Sequence, residues 1–317
     1  MAENRSWKHA LLLTLTALIW GVAFVAQTEG SHFMGSSTFT GLRFLIAAAT
    51  LYPFIVLGKK ASGQAGGDAS VRPGSDRASL WRSGTILGVL LCVASLLQQE
   101  GIALGASAGK AGFITATYIV LVPVLNLMVF RKKTRPVIWI GVAIALAGLY
   151  LLCLDKASLS LGLSDVLLIL CALAYAFQIL AIDRFSPRFD ALKLSAIQFL
   201  SCGVLSSIVM VFTDILPAGL PAWATAFTSW GAWIPLLYAA ILSSAVGYTL
   251  QIVGQKGLNP TVASLLMSLE SVFAALAGWL ILRQHLTPRE LLGCALVFVA
   301  VLLAQMVTSF QPASQAA

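Results

Sequence analysis

Between Gly257 and Leu282 the chain carries a single charge, Glu270, in an otherwise apolar run long enough to cross a bilayer. Runs with no charge at all recur at 11–28, 83–99, 111–130, 137–154, 166–182, 194–213, 215–255 and 291–317. A helix rises about 1.5 Å per residue, so about 20 residues bridge a hydrocarbon core of about 30 Å. Of the 317 residues, 59% are hydrophobic and 10% charged, against about 25% charged in a soluble domain. The expected fold is therefore an all-α integral membrane protein. Ten transmembrane helices are expected near 9–27, 36–58, 83–104, 110–130, 137–154, 163–182, 193–213, 232–254, 259–282 and 290–309. The 215–255 stretch also has length for a reentry loop ahead of its span.

The first apolar run exceeds the core of a signal peptide and lacks a clean cleavage site, so it reads as a retained helix. The largest polar insert, 59–82, is rich in Gly, Ser, Ala, Lys and Arg and reads as a flexible cytoplasmic loop. The net charge of +8 could suggest a nucleic-acid partner, but its distribution encodes topology instead. With a cytoplasmic N-terminus, fifteen Lys and Arg fall in inside segments, among them Arg131, Lys132, Lys133, Arg184, Arg188 and Lys256. Only Lys110, Lys156, Arg283 and Arg289 fall outside, a firm positive-inside bias that also puts the C-terminus in the cytoplasm. The five cysteines form no CxxC and read as apolar packing residues. His9, His32 and His285 are scattered, so neither a metal site nor a cofactor is expected.

The chain repeats itself. Ala17-Leu18-Ile19-Trp20-Gly21 parallels Ala172-Leu173-Ala174-Tyr175-Ala176, and at the same shift Gly41-Leu42-Arg43-Phe44-Leu45 parallels Ala196-Ile197-Gln198-Phe199-Leu200. Leu121-Val122-Pro123-Val124-Leu125 parallels Leu269-Glu270-Ser271-Val272-Phe273. Two five-helix repeats are expected, residues 1–154 and 155–317. Five is odd, so the second repeat enters from the opposite face; such inverted repeats place a solute site near the midplane between them.

The residues Ile19-Trp20-Gly21 with Phe24, Arg43, Gln98-Gln99, the stretch Gly109–Thr115 leading to Val122-Pro123, and Leu269-Glu270 followed by Val272-Phe273-Ala274-Ala275 carry a family likeness. In them the chain resembles the drug/metabolite transporter superfamily, and specifically the EamA-type permeases, over about 10–309. Members usually carry Pro where this chain has Ser271, and often an acidic residue near His285. The resemblance implies ten helices in two inverted repeats and movement of small metabolites, commonly outward, with amino acids or related compounds as the first expectation.

An ionised side chain in hydrocarbon is costly and marks a pathway by default. Arg43 falls roughly 10 Å in from the outer end of its span and Glu270 roughly 16 Å in from the cytoplasmic end. The residues expected at a solute site are Trp20, Arg43, Tyr118, Gln251 and Glu270, with Glu100, Tyr175, Gln198, Tyr248 and Gln255 as secondary candidates. Arg43 would meet a carboxylate or other anion, unless it pairs with a glutamate to pin the bundle. Glu270 would meet a proton, as coupling ion, or an amine; the aromatics would hold the solute body. Tyr248, Gln251 and Gln255 share one helix face, as do Thr115, Tyr118, Val122 and Asn126. Gly141, Ala145 and Gly148 form a close-packing seam, and Pro53 and Pro123 could bend their helices. Gly109-Lys110-Ala111 fails as a phosphate loop, because Leu104 and Ala111 replace the required Gly and Ser/Thr. A small-molecule carrier embedded in lipid, not an enzyme and with monomer or homodimer left open, is the reading. A passive channel or an intramembrane enzyme on lipid-linked substrates would need charge rings, a carbonyl filter or clustered acids that the sequence lacks.

Overall fold

The computed structural model describes residues 2–61, 77–106, 108–131, 135–153, 162–256, 258–281 and 287–309, all of whose regular elements are helical. In order they are α1 (Ala2–Ser31), α2 (Ser36–Ala61), α3 (Arg77–Ala103), α4 (Ala108–Ala116), α5 (Tyr118–Phe130) and α6 (Pro136–Cys153). There follow α7 (Leu163–Phe185), α8 (Ala191–Ala218), α9 (Trp230–Gln255), α10 (Pro260–Met267), α11 (Leu269–Ile281) and α12 (Pro288–Ser309). Among the described residues eight segments are long and apolar enough to cross a membrane; Pro136–Leu151 within α6 is apolar but shorter. Arg283, His285 and most of the loop expected at 59–82 lie outside the described residues. The flanks of that loop are helical to Ala61 and from Arg77, so the helices on either side run further than the charge pattern indicated. Where a reentry loop had room, α8 continues to Ala218 and a short helix, Leu220–Thr225, precedes α9.

Apolar residues surround these helices, and outward-facing Leu, Ile, Val and Phe are exposed along most of them. That is the pattern of segments whose solvent is lipid. With lipid outside, packing rather than hydrophobic transfer holds the helices together, and small residues set how close they come. The pair α6–α12 is one such seam. A Cβ added at Gly148 would sit 2.7 Å from the Gly293 carbonyl oxygen and 2.9 Å from the Leu296 and Val297 side chains. A Cβ at Gly141, one end of the expected small-residue seam, would meet nothing nearer than 3.5 Å. Gly21 does for α1 and α11 what Gly148 does here: its missing Cβ would fall 2.7 Å from the Glu270 carbonyl oxygen. This contact sets α1 directly against the turn that carries Glu270.

Helix α1 packs on α9, α10 and α11, and α7 packs on α3, α4 and α5. Helix α2 lies along α8 and α9, and α3 lies along α7 and α8. The N-terminus of α2 is capped from far away in sequence. Asp214, in a π-helical turn of α8 (Val211–Ile215), accepts from the Thr38 backbone N–H at 2.8 Å and the Thr38 hydroxyl at 2.6 Å. A carboxylate there offsets the positive end of the helix and ties α2 to α8.

Pro53 and Pro123 sit inside continuous α2 and α5. The interruptions fall elsewhere: at Thr117, between α4 and α5, and at Ser268, between α10 and α11. At each, a hydroxyl bonds back three residues, Thr117 to the Ile114 carbonyl (2.6 Å) and Ser268 to the Leu265 carbonyl (2.8 Å). These back-bonds compete with the helical ladder and bend it. A proline at Ser271 is therefore not needed to break the second helix. A longer irregularity occupies the middle of α9, where Tyr238–Tyr248 is π-helical just after Pro235.

The close approach at the α6–α12 seam sets up a comparison. Gly148→Ala should lower the melting temperature in detergent, by the equivalent of about 1–3 kcal/mol of overpacking, because the nearest atom is backbone. Gly141→Ala should leave it nearly unchanged. Equal effects from both substitutions, read by thermal unfolding, would contradict this picture of the seam.

Candidate functional site

The interruptions and the π-helical stretch converge on one cavity. Helix α1 gives it Trp20, Phe24 and Gln27, spaced i, i+4, i+7 on one face. The residues flanking the break at Thr117, Thr115 and Tyr118, face it, as do Met267 and Glu270 on either side of Ser268. Helix α9 contributes Ser243, Tyr248 and Gln251. The empty space, counted to its open side, is about 430 Å³. Trp20, Arg43, Tyr118, Gln251 and Glu270, expected together from sequence, all line it, and Tyr175 and Tyr248 join them. Gln198 and Gln255 are buried but off the cavity wall. Glu100, a secondary candidate, is exposed near the end of α3 and off the cavity wall; a charge so near a helix end can reach the interface. Thr115 and Tyr118 reach the cavity, while Val122 and Asn126, further along α5 on the face of Tyr118, are buried off the cavity wall.

Arg43 is 2% exposed. Its Nε donates to Ser244 Oγ at 3.1 Å and its Nη1 to Gln27 Oε1 at 3.2 Å, while Cζ lies 4.7 Å from the centre of the Phe44 ring. Glu270 is 4% exposed and accepts from the Tyr118 hydroxyl at 3.0 Å. Among the described residues neither has a partner of opposite charge, so the structural ion pair weighed for Arg43 is not formed. An ion pair does join α4 to α7, between Lys110 and Asp165 at 2.8 Å, away from the cavity wall.

The remaining wall is aromatic and hydroxylic. Trp20 packs on Tyr248 with ring centres 4.7 Å apart and donates Nε1–H to the Ser243 carbonyl at 3.1 Å. That carbonyl belongs to the π-helical stretch, where altered hydrogen bonding leaves backbone oxygens available to side chains. The hydroxyls of Tyr175 and Tyr248 lie 3.0 Å apart, and Ser95 Oγ lies 3.4 Å from the former. Gln27, Gln98, Ser243 and Ser244 were not among the expected residues. Gln27 was legible, on the face of α1 shared by Trp20 and Phe24; the serines were not, because no simple helical period reaches them through a π-turn. Among the described residues no group of three His, Cys, Asp or Glu could hold a metal ion.

The EamA-like transporter family model matches residues 7–154 and again 162–306. An uncharacterised transporter of Archaeoglobus fulgidus is 27% identical over 93% of this chain and 84% of its own. The threonine/homoserine exporter RhtA of Escherichia coli K12 is 30% identical over 53% of this chain and 55% of its own. A solved crystal structure, 16% identical, superposes with a TM-score of 0.71 over 94% of this chain and 96% of that one, a likeness of fold. With the family's sequence pattern present twice and covering nearly the whole length, the chain belongs to the EamA-like transporter family of multi-pass membrane proteins.

Proposed function

We propose that the protein is a secondary transporter that moves small amphipathic metabolites, α-amino acids or close relatives first among them, outward across the cytoplasmic membrane. The observation that carries this is the pair of buried, opposite, mutually unpaired charges on one cavity, Arg43 and Glu270. A buried charge is stable only with compensation, and neither finds it in the other. A zwitterion supplies both counter-charges: its carboxylate for Arg43 and its ammonium for Glu270. Trp20, Tyr118, Tyr175 and Tyr248 then offer apolar faces with polar tips to the body of the solute. Without solute, Glu270 is free to take up a proton, which gives the carrier a coupling ion. The RhtA name, at 30% identity over about half of each chain, is in keeping with an amino-acid solute.

Access alternates, in this reading, between ten spans arranged as two inverted five-helix repeats, residues 1–154 and 155–317. The packing supports such a relation. Helix α1 meets α9, α10 and α11 as α7 meets α3, α4 and α5, and the pairs α2–α8 and α6–α12 map onto themselves. The helix breaks at Thr117 and Ser268 correspond, and the family pattern occurs once per half. Both termini lie in the cytoplasm by the distribution of Lys and Arg.

Counterflow in liposomes tests the proposal: preloaded unlabelled amino acid should drive accumulation of labelled amino acid, where a channel would only collapse the gradient. No counterflow with any member of a chemically diverse metabolite panel would overturn it. Glu270→Gln should abolish pH-driven flux while the protein still folds and inserts; flux with unchanged pH dependence would remove Glu270 from coupling. Arg43→Gln should weaken solute affinity by about tenfold or more, the scale of a lost charge-assisted hydrogen bond. Because Arg43 has no acidic partner to strand, the same variant should keep its melting temperature. A variant that unfolds with normal affinity would assign Arg43 to structure alone.

A further inference from the structure

Beneath the cavity lies a group of buried amides that the reading above does not use. Gln251, on the cavity wall, donates Nε2–H to Gln178 Oε1 at 3.4 Å, yet Gln251 Oε1 and Gln178 Nε2 find no partner among the described residues. Gln198 and Gln255 are buried, at 0% and 1% exposure, and neither amide atom of either is hydrogen-bonded among the described residues. Ser195, one turn before Gln198, also has an unpartnered Oγ. Native structures rarely leave buried amides unmade, and several in one region mark a place where partners are missing in this conformation.

These residues share one end of the bundle. Gln251 and Gln255 occupy the last turns of α9, Gln178 lies two turns from the end of α7, and Ser195 and Gln198 fall in the first two turns of α8. Lys256 Nζ, donating to the Phe189 carbonyl at 3.0 Å, fastens the end of α9 to the α7–α8 turn. Arg184, Arg188 and Lys193 at that turn make this the cytoplasmic end. The internal repeat adds a second, independent pointer. Gln198 stands at the repeat position of Arg43, so what Arg43 does for the cavity in this conformation falls to Gln198 when the halves exchange conformations.

We propose that Gln178, Gln198, Gln251 and Gln255 form a second, uncharged station on the solute path, between the central cavity and the cytoplasm. Its ligands are neutral groups that both donate and accept hydrogen bonds: the hydroxyl or amide of a polar solute side chain, and water in its absence. The station lies shut in this conformation and opens when access switches. It rests on the alternating-access reading and names the other half of its path. No charge lies in the station itself, so a solute leaves the cytoplasm through it without binding tightly and meets Arg43 and Glu270 only further in.

The test uses full-length protein with its native cysteines replaced by Ala, in everted membrane vesicles, and a small polar methanethiosulfonate reagent. Gln198→Cys and Gln255→Cys should be modified about tenfold faster than Ile197→Cys and Ile252→Cys, which lie in the neighbouring apolar cluster. Rates equal to those controls would overturn the proposal. Gln198→Leu, in otherwise native protein, should cut amino-acid counterflow about tenfold while keeping solute binding and the melting temperature, since an apolar group replaces an unsatisfied amide. A lowered melting temperature with unchanged counterflow would make Gln198 merely structural and overturn the proposal as well. Should wild-type protein show no counterflow, the carrier reading falls, while the labelling ratio still judges the polar station by itself.

Discussion

Two charges of opposite sign held on one cavity without meeting are the constraint around which this bundle is organised. Close pairing of Arg43 with Glu270 would satisfy both and leave nothing for a ligand. The fold prevents it by giving each a different neutral escort. Arg43, on α2, is engaged by Ser244 from α9 and Gln27 from α1. Glu270, on α11, is engaged by Tyr118 from the start of α5. Each escort is a hydrogen bond of 3.0–3.2 Å from or to a neutral group, which holds the side chain in place without supplying an opposite charge. Under the proposed function, a dipolar solute would supply the opposite charge that neither escort provides.

The escorts exist because regular helix is given up at three places. In lipid a backbone carbonyl cannot be left bare, so irregular backbone is tolerated only where it borders a cavity or is buried in protein. The breaks at Thr117 and Ser268 and the π-helical stretch Tyr238–Tyr248 obey that rule: the residues around all three face the same cavity. Hydroxyl back-bonds close two of the breaks, and the Trp20 indole takes up a carbonyl of the third. Gly21 lets α1 come close enough to α11 for Trp20 to reach the π-helical stretch of α9 on one side while the helix abuts the Glu270 turn on the other. The same small residue that packs the bundle thus sets the width of the site.

Much of this was legible in the residues themselves. A charge or amide in an apolar span must have a reason to be there, and that reasoning singled out Arg43, Glu270, Gln251, Trp20 and Tyr118, which share a cavity. It failed for Glu100, whose place near the end of α3 lets it stay exposed and so demands no reason. It placed Gln251 ahead of Gln255, four residues further along the same face, and Gln251 borders the cavity while Gln255 is buried beyond it: depth along the helix, not face, separates them. Val122 and Asn126 follow Tyr118 on the same face of unbroken α5 and are buried, but they lie further along the helix than the cavity extends. Ser243 and Ser244 lay beyond reach because they sit inside the π-helical stretch Tyr238–Tyr248, whose wider turns a 3.6-residue period does not follow.

The distribution of charge between the halves carries the last step. Where the first half has Arg43, the second has Gln198; where the second has Glu270, two residues past the break at Ser268, the first has the apolar Ile119, two past the break at Thr117. Packing alone would favour like residues at like positions, as the shared helix breaks and the self-paired α2–α8 and α6–α12 contacts suggest. The charges depart from that likeness, one in each half, both on the cavity. In the alternating-access proposal, near-equivalent halves would give two conformations of similar energy, and the unlike charges would hold a zwitterionic solute in one orientation. In the same proposal, the amides of Gln198 and Gln255 lie at the end away from the charges, so entry from the cytoplasm would be polar but weakly attractive and would not become a trap.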